Sequence, residues 1–192
     1  MKSKPRAWQR MLSGRRLDLL DPSPFDIELE DIAHGLSRVA RWNGQTHGEH
    51  AFSVAQHSVL VLDIFEQLVP DATIAAKRAA LLHDASEYVV GDMISPFKAA
   101  LSLDYRAFEE QLLEAVFIRF QIPVPLKKSW KVAIKRADIV SAFCEATQLA
   151  GFNAAEAEQL FGKPEIETLP RLTPISPNKA KTEFLERFNA LV

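Results

Sequence analysis

The chain of 192 residues contains a single cysteine, Cys144. That excludes an internal disulfide framework and a zinc site built on thiolates. It also suits a reducing cytosol, so a cytoplasmic location is expected. An excess of basic residues is missing too: 23 Lys and Arg stand against 25 Asp and Glu, for a formal net charge of −2. Nothing in that balance points to a nucleic acid polymer or an anionic membrane as partner. No apolar run approaches the ~20 residues of a transmembrane helix, and the basic N-terminus lacks the apolar region of a secretory signal. No internal repeat, low-complexity tract or convincing period-two alternation is present, which leaves an all-α fold as the expectation. What is there is ordinary for a globular protein: 47% hydrophobic and 25% charged residues, in a length that suits one domain with a sizeable core.

Residues 1–26, with Pro5, Pro22 and Pro24, read as an extended arm. A short helix is expected over 26–41, where Ile32, Leu36 and Val39 recur at helical spacing ahead of the turn signal Asn43-Gly44. Residues 51–69 are apolar nearly all round, as suits the middle of a bundle, with His57 inside the run. Pro70 stops this helix, and Asp71 is the expected N-cap of the next one over 72–89. Ser102 is expected to cap a helix through Phe120, striped by Tyr105, Phe108, Leu112, Ala115 and Val116. A long helix is expected over 126–150, apolar at Trp130, Ile134, Ala137, Val140, Ala142 and Phe143, and ended by Gly151. Ser176-Pro177 opens a last amphipathic helix that buries Phe184, Leu185, Phe188 and Leu191. The expected organisation is one helical domain: an arm (1–26), a core (27–150) and a C-terminal extension (151–192). The apolar last helix and the stripe from Tyr105 leave room for a homodimer.

The run Leu81-Leu82-His83-Asp84-Ala85-Ser86-Glu87-Tyr88-Val89-Val90-Gly91-Asp92 places four strongly polar groups directly after an alanine-rich stretch that should be buried. Buried charge is costly unless it is paired or bound to a metal. Three of the expected helices carry such groups: His57, the pair His83-Asp84, and Asp138. Two imidazoles and two carboxylates suit a divalent ion with nitrogen–oxygen preference, such as zinc, manganese, iron, cobalt or nickel. Neighbouring helical residues point about 100° apart, so such an ion would lie in the angle between His83 and Asp84. Two plainer readings stand beside this one. His57 can be a hydrogen-bonded core histidine, and Asp138 an ion-pair partner of Lys135 or Arg136.

In order and spacing, His57, His83-Asp84 and Asp138 resemble the HD-domain metal-dependent phosphohydrolases. A closer resemblance, to the bacterial HD-family 5′-deoxynucleotidases, is carried by Arg41-Trp42, Gln56-His57-Ser58, His83-Asp84-Ala85-Ser86-Glu87 with Gly91-Asp92, and Ala137-Asp138 before Ala142-Phe143. The resemblance implies an HD-domain helical bundle with one divalent metal ion (cobalt, manganese, zinc, iron, nickel or magnesium) on His57, His83, Asp84 and Asp138. It implies hydrolysis of a phosphomonoester, on a (deoxy)nucleoside 5′-monophosphate, by attack of a metal-bound water. Glu87 would orient or deprotonate that water, and Asp92 would help protonate the leaving alkoxide. Arg41 would clamp the phosphate and Trp42 would line the nucleoside pocket. The plainer alternatives are a surface carboxylate for Glu87, a loop or N-cap aspartate for Asp92, a surface charge for Arg41 and a core anchor for Trp42.

The sequence departs from the deoxynucleotidase pattern at Gln56, where an acidic residue is usual, and in the loop 44–50, which differs in length and carries His47 and His50. Both departures bear on substrate identity more than on metal binding. No histidine follows His83, so one metal is expected rather than two. His47 and His50 read as substrate contacts or as part of a polar loop. Rival readings are action on a nucleoside triphosphate or cyclic phosphodiester, and a catalytically silent metal- or nucleotide-binding sensor. Glu87, Asp92 and Arg41 together argue against the sensor.

Overall fold

The structure is a computed structural model that describes residues 7–93, 105–166 and 168–191. Ser102, expected as a cap, lies outside the described residues, as does the side chain of Tyr105. The elements are β1 (Trp8–Arg10), β2 (Arg16–Asp18), α1 (Leu29–Leu36), α2 (Val54–Leu68), α3 (Ile74–Leu81), α4 (Glu87–Val90), α5 (Tyr105–Arg119), α6 (Lys128–Gln148), α7 (Ala154–Phe161) and α8 (Pro177–Asn189). Helix dominates, and the only strands among the described residues are β1 and β2.

Those strands lie within the expected extended arm. They form an antiparallel hairpin in the register Trp8 to Asp18 and Gln9 to Leu17. Leu17 is fully buried, and the Arg16 guanidinium lies 4.6 Å from the Trp8 ring centre. Strands of three residues are too short for alternation to show in the sequence.

The centre of the fold is α2. Nine of its residues are buried, from Val54 to Phe65, His57 and Ser58 among them. It packs against α3, α6 and α8. Helix α8 also packs on α1, with Ala180 and Phe184 buried in the common core. Pro177 at the first turn of α8 costs nothing, because an N-terminal N–H has no helical partner there.

The expected helix over 72–89 is two pieces. It starts at Thr73, not Asp71: the Thr73 hydroxyl accepts the Ala76 N–H, while Asp71 stays in the preceding turn. It then ends at Leu81. The His83 Nδ1 donates to the Ala80 carbonyl at 2.9 Å, the group that would take the Asp84 N–H in a continuous helix. Tight three-residue backbone bonds carry the chain on, from Ala85 N–H to Leu82 and from Glu87 N–H to Asp84, until α4 begins. Across this break His83 Nε2 and Asp84 Oδ2 lie 3.2 Å apart.

Between α7 and α8 the chain runs extended, held by two side-chain amides. Gln148 donates to the Pro170 carbonyl and accepts from the Leu172 N–H; Gln56 donates to the Thr173 carbonyl and accepts from the Ile175 N–H. Each amide imitates one rung of a β-ladder. The Gln56 departure is thus accounted for by packing, since a carboxylate could not donate to Thr173. Gln56→Glu should cost about 1–2 kcal/mol through the lost donor and the carboxylate facing a carbonyl. A thermal melt should show a fall of several degrees with kcat/KM little changed; a changed substrate preference at unaltered stability would count against the clamp.

Candidate metal centre

Three elements bring their polar groups together at one end of α2. His57 is fully buried, and its Nε2 lies 3.4 Å from Asp84 Oδ2 and 3.4 Å from Asp138 Oδ1. The Asp84 Oδ2 is also 3.2 Å from His83 Nε2, and the two imidazole rings are 5.3 Å apart, centre to centre. One ligating atom each from His57, His83 and Asp138 falls within 4.8 Å of the others. Asp138 divides its oxygens: Oδ1 faces His57 while Oδ2 takes Lys135 at 2.7 Å. The Lys135 pairing weighed from the sequence therefore exists alongside the cluster, not instead of it.

The donor set fits a divalent ion. Ligands bound at about 2.1 Å and 90–110° to one another stand about 3.0–3.4 Å apart, which is the spacing of the three nitrogen–oxygen pairs above. The Nε2 atoms of His57 and His83 are both buried without a hydrogen bond, an expensive arrangement unless something binds them. Their Nδ1 atoms are occupied: His83 donates to the Ala80 carbonyl at 2.9 Å and His57 to Glu145 Oε1 at 2.6 Å. A hydrogen bond at Nδ1 selects the tautomer whose Nε2 lone pair is available to a metal.

Electrostatics agree with this geometry. Burial and the nearby Arg41 push His57 down, yet Glu145, Asp138 and Asp84 outweigh them and hold it well above the ordinary histidine value. Burial pushes Asp84 up, but the neighbouring imidazoles of His83 and His57 hold it well below the usual carboxylate range. Asp138 is lowered in the same way, its burial outweighed by His57. In the metal-free protein His57 is therefore a cation among carboxylates. Because its folded value is raised, the stability it contributes is complete below about pH 6.5 and fades as pH rises through that raised value. A metal held by His57 would have to displace its proton, so below the raised value affinity should drop about tenfold per pH unit for each proton released. Thermal melts and metal titrations across pH 6–9 check both statements; the loaded protein should lack the His57-dependent decline.

The expected phosphate and nucleoside residues sit beside the cluster. Arg41 follows α1 in the 3-10 turn Arg41–Gly44. Its Nη1 reaches Asp92 Oδ2 and its Nε reaches Glu145 Oε2, both at 3.2 Å, so it is no free surface charge. Trp42 and Asn43 both take left-handed backbone, at φ 56° and 50°. That conformation is uncommon for tryptophan and is sustained only where surroundings impose it. Here the Trp42 Nε1 donates to Glu145 at 2.8 Å, and its ring meets Phe152 and Phe161 of the α7 region. Trp42 is thus anchored, and only half-buried. Glu87 is buried, not a surface carboxylate. His47 and His50 lie on the loop before α2; the backbone N–H of His47 donates to the Leu149 carbonyl, and His47 is exposed. Gly48, between them in sequence, allows Pro174 to approach within 3.2 Å of where a side chain would begin.

One residue of the site escaped the sequence reading. Glu145 of α6 is fully buried and receives His57, Ser141, Trp42 and Arg41 on its two oxygens. Burial pushes it up, but the charges of His57 and Arg41 and the bonds from His57 and Trp42 bring it down to about 2. It stands seven residues beyond Asp138, two turns along the same face. An acidic residue at that spacing, inside the apolar stretch Phe143 to Ala146, was the available signal. Its neighbour Cys144 is an inert core thiol, pushed up to about 11 by burial and by Glu145.

A helical bundle with two histidines and two aspartates converging at a helix break, in the order His, His-Asp, Asp, defines the HD class of metal-dependent hydrolases. The model of the family described as 5′-deoxynucleotidase YfbR-like matches residues 32–190. The chain belongs to that YfbR-like family. It is 54% identical to an uncharacterized protein of Rhodobacter capsulatus, over 97% of this chain and 96% of the relative. It is also 33% identical to the uncharacterized protein YfdR of Escherichia coli K12, over 86% and 85% of the two chains. Among the described residues, no helix is long and apolar enough to cross a membrane.

Proposed function

We propose that the protein hydrolyses a deoxynucleoside 5′-monophosphate to the nucleoside and inorganic phosphate, with one divalent ion on His57, His83, Asp84 and Asp138. The observation that carries the reading is the meeting of His57 Nε2, His83 Nε2, Asp84 Oδ2 and Asp138 Oδ1, with both imidazole nitrogens buried and unbonded. The family's description supports the nucleotide as substrate. A bound divalent ion supplies charge neutralisation for the phosphoryl oxygens and a more acidic water at neutral pH.

The chain's own residues do the rest. Arg41 offers a planar fork to the phosphate. Glu87, at the first turn of α4 and three residues past Asp84, takes the proton of the attacking water as the new P–O bond forms. The bond to the 5′ oxygen breaks, and the proton taken by Glu87 is relayed through Asp92 to that oxygen. In the resting structure the Arg41 guanidinium lies 3.2 Å from Asp92. Trp42 forms one wall of the nucleoside pocket.

The test is release of inorganic phosphate from a panel of ribo- and deoxyribonucleoside monophosphates, with each candidate ion added at one equivalent. The expected result is metal-dependent release from the 5′-monophosphates, deoxy forms ahead. No release from any monophosphate would overturn the reading, and release only from triphosphates or cyclic phosphodiesters would replace it.

A further inference from the structure

We infer that Glu145 is a positioning residue that binds the metal half and the phosphate half of the site into one unit. This rests on the functional reading above and extends it to a residue that neither ligates nor reacts. The two carboxylate oxygens face different halves. Oε1 accepts from His57 Nδ1 at 2.6 Å and from Ser141 Oγ at 2.9 Å. Oε2 accepts from Trp42 Nε1 at 2.8 Å and from Arg41 Nε at 3.2 Å. A carboxylate has about four lone-pair sites, and here four donors fill them.

The arrangement is costly to assemble and unforgiving to change. Glu145 is fully buried, and a buried ionised carboxylate is tolerated only with its partners in place. With Oε1 on His57 Nδ1–H, Nε2 is the nitrogen that faces Asp84 and Asp138, the one a metal would need. With Oε2 on Trp42, the indole is pinned although its backbone is left-handed. The same oxygen takes Arg41 through Nε, and Nη1 is turned toward Asp92. A shift of this one group therefore disturbs the tautomer of a ligand and the aim of the guanidinium together.

Glu145→Gln is the informative variant, because an amide cannot accept on both sides. If its oxygen stays with His57, its NH2 opposes the N–H groups of Trp42 and Arg41, and the phosphate side is lost. If it turns round, the NH2 faces His57 Nδ1, and the proton moves to the nitrogen that should hold the ion. Two affinities are measured on folded protein by calorimetry: cobalt(II) to the metal-free protein, and inorganic phosphate to the cobalt-loaded protein. At least one should weaken, metal by about 10- to 100-fold or phosphate by about tenfold. Ser141→Ala, a small change that should fold, removes one donor from Oε1 and should weaken cobalt binding several-fold. A role confined to stability predicts a lower melting temperature for Glu145→Gln with both affinities unchanged, and that result would overturn the inference. Should Glu145→Gln fail to fold, unchanged cobalt affinity in Ser141→Ala overturns it instead. If the wild-type protein itself binds no cobalt, the metal reading fails first, which is a different and recognisable outcome.

Discussion

Asp84→Ala should leave the protein folded, strip it of metal and lower kcat/KM by about 10³-fold or more. The size follows from what an ion contributes: several kcal/mol of charge stabilisation, where about 4 kcal/mol is a thousandfold in rate. Asp84 Oδ2 is the atom that stands 3.4 Å from His57 Nε2 and 3.2 Å from His83 Nε2, so its removal opens the polyhedron between two imidazoles. Asp84 is also partly exposed, at 27% of its side chain, and truncating it leaves no large cavity. Metal content per chain and steady-state kinetics decide the matter. Retention of one equivalent of metal by Asp84→Ala would show that the ligand set is wrong.

Arg41→Ala should act on both stability and substrate affinity. The guanidinium sits between Asp92 and Glu145, with 15% of its side chain exposed. Truncation removes the counter-charge from two buried carboxylates, which costs about 3 kcal/mol or more when a buried pair is broken. At about 2–4 °C per kcal/mol for a chain of this size, the melting temperature should fall by about 6–12 °C. KM for a nucleoside monophosphate should rise by about 100-fold, since the phosphate loses its fork. Arg41→Lys separates the two effects. It keeps a charge near Asp92 and recovers part of the stability, but a point charge cannot replace the fork, so KM stays high. An Arg41→Ala protein with unchanged KM would remove Arg41 from the substrate site and leave it a structural cation.

The sequence made the convergent polar groups legible for a definite reason. Histidine inside an all-round apolar helix, and His-Asp at the end of an alanine-rich one, conflict with the cost of burying polarity, and that conflict shows without coordinates. What turned the groups toward each other did not show. The break after Leu81 depends on the His83 ring reaching the Ala80 carbonyl, a local competition that periodicity reads straight through. Glu145 was passed over because a single acidic residue on a long helix is ordinarily on the wet face. Only the arrival of His57, 88 positions away, and Trp42, 103 away, makes its burial sensible. The Gln56 clamp was hidden likewise, its partners lying 117 and 119 residues along the chain. Helix α7, which the sequence reading did not anticipate, starts at Asn153 and Glu156, whose reciprocal capping bonds are both formed.

The arrangement ties binding to chemistry through very few elements. Helix α2 supplies one candidate ligand, the α3–α4 break two, the start of α4 Glu87, and α6 both Asp138 and the carboxylate that accepts from His57 Nδ1. The short turn after α1 brings Arg41 and Trp42 to the same carboxylate, so the candidate substrate residues are held by the framework that holds the candidate ligands.

The measurement that bears most directly on this account is anomalous scattering from a crystal of the metal-loaded protein, collected at the absorption edge of the bound ion. The account predicts one peak per chain, about 2.0–2.2 Å from His57 Nε2, His83 Nε2, an Asp84 oxygen and Asp138 Oδ1. A peak that leaves out any of these four, or a principal peak in the loop of His47 and His50, would contradict it.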